Sequence, residues 1–203
     1  MSTRWDGASS TVVAYEKHAV AATEILGGAD YELSPALTEY EVAVTGELAR
    51  AVNARNPSAR LSLAEQTNKL AVCLNDGAHY ETHIDNLGGD DRRKLTCLLY
   101  LNPTRTPAQP HAVLGGQFRA FDQPGDAELL VEPCGGRLVC FWSDALVHDV
   151  LPSAAPAGDA DFRWALTVWL GTTDLAAIAS DPAAEKRHWP DAAIGTGIQG
   201  LAG

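Results

Sequence analysis

A chain of 203 residues with a formal net charge of -11 is long enough for one well-formed core. It is too acidic for a nucleic-acid binder, because phosphates need clustered lysine and arginine and here these are scattered. Apolar residues make up 46% and charged residues 20%, the balance of a folded domain, and no apolar run nears the roughly 18 residues that cross a bilayer.

The first residues, "MSTRWDGASS", lack the apolar stretch of a secretion signal. The expectation is a cytoplasmic chain, nuclear as well if eukaryotic, not secreted and with no membrane partner. Cys73, Cys97, Cys134 and Cys140 include no CxxC pair and sit mostly among apolar residues, which reads as four reduced packing thiols.

In chain order, a helix is predicted around Thr11 to Leu26, ending at Gly27-Gly28. A second, over residues 35–56, starts at Pro35 and carries Leu37, Tyr40, Val44, Leu48 and Val52 at near-helical spacing. From Leu61 the pattern changes to short strands between turn signals: "KLAVCL", "HYETHID", "KLTCLLYL", "GQFRAF", "ELLVE", "RLVCFW", "HDVL" and "RWALTVWL". "NPTRTPAQPHAVLGG", 102–116, reads as a Pro-rich surface loop, and the Gly- and Ala-rich end after Pro190 as a loose tail. The expected architecture is one domain, mainly β with N-terminal helices. Residues 1–60 give helical support, 61–172 an all-β sandwich, barrel or jelly roll, and 173–203 a short helix and tail.

Within "HYETHIDN", His83 and Asp85 are two residues apart, so on a strand both leave the same face. His148, 63 residues after Asp85 in "FWSDALVHDVLPS", is the best third donor. Two imidazoles and one carboxylate on one face of an octahedral metal leave three adjacent positions open, which suits non-haem Fe(II) that must bind a co-substrate and O2. Alone, the His-x-Asp pair is better read as two polar residues on a surface strand.

"RWALTVWL" adds weight. Arg163, Ala165, Thr167 and Trp169 share one strand face, and both faces look buried. An inward guanidinium needs an anion, and a bidentate carboxylate is the natural one. Tyr100, on the face of Thr96 and Leu98, is placed to donate to the same carboxylate. Taken singly, Arg163 snorkelling from a strand end and Tyr100 packing in the core also account for these residues. His79 reads as an exposed turn residue, and His18, His111 and His188 carry no assigned chemistry. Arg92 and Arg93, beside Asp90 and Asp91, form either a solvated turn or a contact for an acidic peptide.

"YETHIDNLGGDDRRKLTCLLYLNP", "GGQFRAF", "CFWSDALVHDVLPS" and "RWALTVWL" resemble, in order, the catalytic domain of the hypoxia-inducible-factor prolyl hydroxylases. These belong to the prolyl 4-hydroxylase group of Fe(II)- and 2-oxoglutarate-dependent dioxygenases. The resemblance runs from about Asn68 to Leu170. It implies a double-stranded β-helix (a cupin-like barrel), with His83, Asp85 and His148 holding Fe(II). It places Tyr100 and Arg163 on the far carboxylate of 2-oxoglutarate, Thr167 facing the same cavity, and Tyr80 and Trp169 at the substrate rim with Arg92 nearby. No catalytic residue beyond the metal ligands is implied.

The implied activity is hydroxylation of a prolyl residue at C4 in a protein or peptide. It consumes O2 and 2-oxoglutarate, releases succinate and CO2, uses ascorbate as a reductant and is run by a monomer; oxygen sensing is a property of the resembled family. A free amino acid or other small molecule as substrate, and a non-catalytic cupin-like metal barrel, are the alternatives. Asp85 itself argues against a halogenase, which needs a small residue there. The sequence departs from the family at Leu74, where the family has a tyrosine, and in a longer stretch between His148 and Arg163. The family carries more chain ahead of the region resembling "RWDGASSTVVAY", including a loop that closes over peptide substrates. The expectation is either a different capture of peptides or a sequence that is a fragment or minimal form.

Overall fold

The computed structural model describes residues 2–6, 11–15, 19–74, 77–102, 114–121, 128–154 and 162–178. Two five-stranded antiparallel sheets carry the fold. The first has the order β10-β6-β12-β4-β3, from β3 (Val20–Thr23), β4 (Leu61–Cys73), β6 (Arg93–Tyr100), β10 (Leu138–Trp142) and β12 (Arg163–Thr172). The second has β5 (Ala78–His83), β11 (Val147–Ala154), β8 (Phe118–Phe121) and β9 (Leu129–Val131) in the order β5-β11-β8-β9, with the short β7 (Leu114–Gly115) also paired to β11. All eight segments read as strands from the sequence lie in these sheets.

Residues 35–56 are helical as expected, in three joined pieces: α2 (Pro35–Ala43), a π-helical turn (Val44–Leu48) and α3 (Ala49–Arg55), with Pro35 at the first helical turn. The loosened turn contains Gly46, and it starts where Thr45 Oγ1 donates back to the Glu41 carbonyl at 2.7 Å, competing with the regular ladder. Leu37, Tyr40, Leu48 and Val52 pack on Leu61, Leu95, Cys97, Leu166, Val168 and Leu170, so this helix covers the outer face of the first sheet.

The helix expected from Thr11 to Leu26 does not form. Thr11–Tyr15 is β2, paired with β1 (Ser2–Asp6), and Val20–Thr23 is β3, paired with β4 from Val20↔Cys73 to Thr23↔Leu70. Val12, Val13, Val20 and Thr23 are β-branched, and the open edge of β4 supplies partners that outweigh the alanines between them. Among the described residues, a short α1 (Ala29–Leu33) is the one helix ahead of Pro35. After residue 172 the described chain has a single 3-10 turn, Leu175–Ala177; the tail after Pro190 and most of the 102–116 loop lie outside the described residues.

Between the sheets lies a second core of Leu98, Tyr100, Phe118, Ala120, Phe141 and Ala165. On β12, Leu166, Val168 and Leu170 turn to the helix layer, which leaves Arg163, Ala165, Thr167 and Trp169 facing the second sheet. Cys73 and Cys97 are buried and Cys134 half-buried, but Cys140 is exposed because β10 is an edge strand. The reading of all four thiols as packing residues therefore fails for Cys140. Among the described residues, no helix is long and apolar enough to cross a membrane.

Candidate active site

His83 ends β5 and His148 lies opposite it on β11, in direct register. Their rings are 4.3 Å apart between centroids. Asp85 follows two residues after His83, with Oδ1 3.4 Å from His83 Nε2 and 3.9 Å from His148 Nε2. One donor atom from each residue lies within 4.8 Å of the others. Three remote side chains thus converge on one point.

The donor set fits a divalent first-row metal in its chemistry as well as its placement. His83 Nδ1 sits 2.7 Å from the Glu81 carbonyl and His148 Nδ1 3.1 Å from that of Leu146. A carbonyl only accepts, so each Nδ1 carries the proton and each Nε2 turns its lone pair toward Asp85. Asp85 Oδ2 is held by Thr96 Oγ1 at 2.7 Å and Trp169 Nε1 at 3.0 Å, leaving Oδ1 toward the imidazoles. Burial pushes the Asp85 carboxyl up. When the imidazoles are protonated, the contact with His83 and the charges of His148 and His83, with the Thr96 hydroxyl, outweigh it and hold the group well below the usual carboxylate range.

His148 is 5% exposed, stacked on Phe118 at 5.1 Å and packed against Phe141 at 4.6 Å. Burial, then the neighbouring His83, push it down to about 4, so at neutral pH it is the uncharged ligand a metal requires.

The local motifs explain themselves as supports. In "FWSD", Phe141 packs on His148 and Trp142 on the helix-side core. Ser143 Oγ lies 2.8 Å from Thr96 Oγ1, and Asp144 binds Lys94 at 2.7 Å. Asn86, 1% exposed, donates to the carbonyls of Asp91 and Arg93 and accepts from the Gly88 N–H, fixing the turn from Asp85 into β6. Asn102, after "YL", donates to the Phe162 carbonyl and accepts from Trp164 N–H, pinning the chain on both sides of Arg163.

Arg163 is 3% exposed. Its Nε donates to the Gly116 carbonyl at 2.9 Å, one terminal nitrogen lies 3.5 Å from the Tyr100 hydroxyl, and the guanidinium lies over the Tyr100 ring at 5.1 Å. Among the described residues no carboxylate pairs with it. The double glycine before Phe118 makes room. A Cβ on Gly116 (φ 67°) would sit 2.8 Å from Arg163 Cδ, and one on Gly115 (φ 72°) would strike the Pro152 carbonyl. Tyr80, on β5, is near enough to Arg163 to favour its charge, and Thr167 is half-buried between Ala165 and Trp169 on the inward face.

Trp169 and Arg92, expected near the substrate, have partners of their own in the structure. Trp169 is bonded to the metal-facing carboxylate itself, flanked by Lys69 Nζ at 5.6 Å and the Arg93 guanidinium at 5.5 Å. Arg92 is tied to the Thr172 carbonyl at 3.2 Å, so Arg93, which also grips Asp91, is the arginine beside Trp169. His79 is exposed as expected, its Nδ1 on the Gly77 carbonyl. Leu74, the departure from the family tyrosine, is 37% exposed.

A family model described as the 2OG-Fe(II) oxygenase superfamily matches residues 69–171, half of the chain. The chain belongs to that superfamily. Prolyl hydroxylase EGLN3 of Mus musculus is 37% identical over 107 residues, 52% of this chain and 40% of that protein. Egl nine homolog 1 of Rattus norvegicus is 36% identical over 112 residues, 54% of this chain and 30% of that protein. The chain thus spans well under half the length of these curated relatives.

Among solved structures, a prolyl 4-hydroxylase of Phytophthora capsici aligns with TM-score 0.61 at 30% identity, covering 75% of this chain and 48% of that one. One from Pseudomonas putida aligns with TM-score 0.59 at 29% identity, covering 75% and 71%. The two facing sheets are the double-stranded β-helix of these oxygenases. The superfamily uses Fe(II), 2-oxoglutarate and O2, and His83, Asp85 and His148 fit an iron site.

Proposed function

We propose that this oxygenase hydroxylates a prolyl residue at C4 in a protein or peptide, with His83, Asp85 and His148 as the Fe(II) ligands. The observation that carries the co-substrate assignment is Arg163, a buried guanidinium with no carboxylate partner among the described residues. It stands beside Tyr100, which packs with Phe118 and Phe141, the two rings that hold His148. A dicarboxylate gripped at one end by Arg163 and Tyr100 resolves that buried charge by two charge-assisted bonds.

When bound, Fe(II) with 2-oxoglutarate and O2 supplies the oxidising power for C–H hydroxylation, with succinate and CO2 as by-products. The chain's own residues hold and orient. Glu81 and Leu146 carbonyls fix the two imidazole tautomers, while Thr96 and Trp169 aim Asp85. Phe118 and Phe141 keep water from His148. Tyr80 and Trp169 border the approach of the substrate, and Thr167 faces the 2-oxoglutarate space.

The prolyl substrate rests on the resemblance to the EGLN and prolyl 4-hydroxylase proteins. Incubating the Fe(II)-loaded protein with 2-oxoglutarate, ascorbate and proline-containing peptides should yield succinate and a peptide heavier by one oxygen atom on proline. Oxygen transfer to free proline alone would move the substrate to the small-molecule class. No succinate under any condition would leave a metal-binding barrel without oxygenase activity.

A further inference from the structure

We propose that Cys97 and Cys140 form an oxidation site that closes to an intrachain disulfide when the protein meets a peroxide. The two cysteines are direct partners across the antiparallel pair β6–β10. In that pair, Ser143 N–H donates to the Lys94 carbonyl and Tyr100 N–H to that of Arg137, so residues 94 and 100 sit in hydrogen-bonded pairs. Pair types alternate along the ladder, which puts Cys97 and Cys140 in a narrow, non-hydrogen-bonded pair. Narrow pairs hold Cα atoms about 4.5 Å apart, within the range a disulfide tolerates. Both side chains leave the same sheet face, and their Sγ atoms are already 3.9 Å apart.

Access and reactivity divide between the two thiols. Cys140 is exposed on the edge strand, whereas Cys97 has no exposed surface. The contact with Cys97 lowers Cys140, while the same contact and burial raise Cys97, so Cys140 is the thiol that meets an oxidant first. Its sulfur attacks hydrogen peroxide; the O–O bond breaks, an S–O bond forms, and hydroxide leaves as water with the Cys140 proton. The Cys97 sulfur then attacks the Cys140 sulfur; the S–S bond forms, the S–O bond breaks, and the departing hydroxide takes the Cys97 proton. Two thiols and one peroxide become one disulfide and two waters. Proximity within one strand pair offsets the small thiolate fraction of Cys97.

The staple would fasten edge strand β10 to β6 where Phe141 packs on His148 and Ser143 meets Thr96. Neither Cys73, beside Arg163 at 3.9 Å, nor the half-buried Cys134 has a second sulfur in such register.

The test treats the full chain with hydrogen peroxide, blocks free thiols with N-ethylmaleimide and maps peptides by mass spectrometry without reductant. The expected result is a linked peptide pair through Cys97 and Cys140, two hydrogens lighter than the reduced pair. It should form at a rate independent of protein concentration and vanish on adding a phosphine. Cys140→Ser, a change at an exposed site, should give no link and leave Cys97 reduced. Cys97→Ala should let Cys140 proceed to the sulfinic acid. Wild-type Cys140 recovered as the sulfinic acid or the maleimide adduct, or linked to a second chain, would overturn the proposal.

Discussion

Trp169 donates its indole N–H to Asp85 Oδ2 at 3.0 Å, joining the last long strand to the metal motif across 84 residues of chain. With Thr96 on the same oxygen, the carboxylate has one orientation, with Oδ1 toward His83 and His148. Trp169→Phe keeps the ring and deletes the donor. It should weaken divalent-metal binding by about 10-fold, with the fold intact by circular dichroism; Mn(II) titration checks this.

Thr96→Val deletes the other donor while keeping the shape, and it strips Ser143 of its partner as well. Metal affinity should again fall by about 10-fold. Because both donors serve one oxygen, the double variant should lose less or more than the product of the single losses, and a double-mutant cycle on Mn(II) affinity measures that coupling.

Arg163→Ala removes the buried cation that Tyr100 and Gly116 position. The 2-oxoglutarate concentration needed for half-maximal succinate release should rise by roughly 10- to 100-fold, the worth of one or two charged hydrogen bonds. Metal affinity should change little. An unaltered 2-oxoglutarate requirement would count against the co-substrate assignment.

Gly116→Ala tests the same anchor from the opposite sheet. The added methyl must displace Arg163 at a backbone angle that L side chains rarely adopt, costing roughly 1–3 kcal/mol of stability. Denaturant unfolding should show that loss, together with a weaker response to 2-oxoglutarate.

Glu41, 4% exposed, has a carboxyl oxygen with no partner among the described residues, and burial raises it from 4.5 to about 7. The folded chain therefore holds a proton there that the unfolded chain releases. The group's contribution to stability is intact below pH 4.5 and is lost as pH rises to about 7. Glu41→Gln should be close to neutral near pH 4.5 and stabilising at pH 8, read as a growing difference in melting temperature.

Much of the site was legible because strands have a period of two. Alternation alone put His83 with Asp85, Arg163 with Thr167 and Trp169, and Tyr100 with Thr96. The structure brings each set together, although Asp85 does so from a bend just past the end of β5 rather than from the strand. Partners that depend on distance were not legible. Thr96 was visible as an inward polar residue, yet nothing in the spacing assigned it to Asp85 rather than to solvent. Arg92 and Arg93 differ by one position at the start of β6, and only the turn fixed by Asn86 decides which one reaches Trp169. The helix read over Thr11 to Leu26 failed for a similar reason. Its alanines and charged residues suit a helix locally, while the edge of β4, more than 40 residues away, pairs with Val20–Thr23 instead.

The most direct test of the central claim is anaerobic calorimetric titration of the full chain with Fe(II), followed by 2-oxoglutarate. One iron per chain is expected, with tight 2-oxoglutarate binding only after iron, and with Asp85→Ala abolishing the first event and Arg163→Ala weakening only the second. Iron uptake that survives Asp85→Ala, or 2-oxoglutarate binding indifferent to both iron and Arg163, would contradict a single site built from these residues.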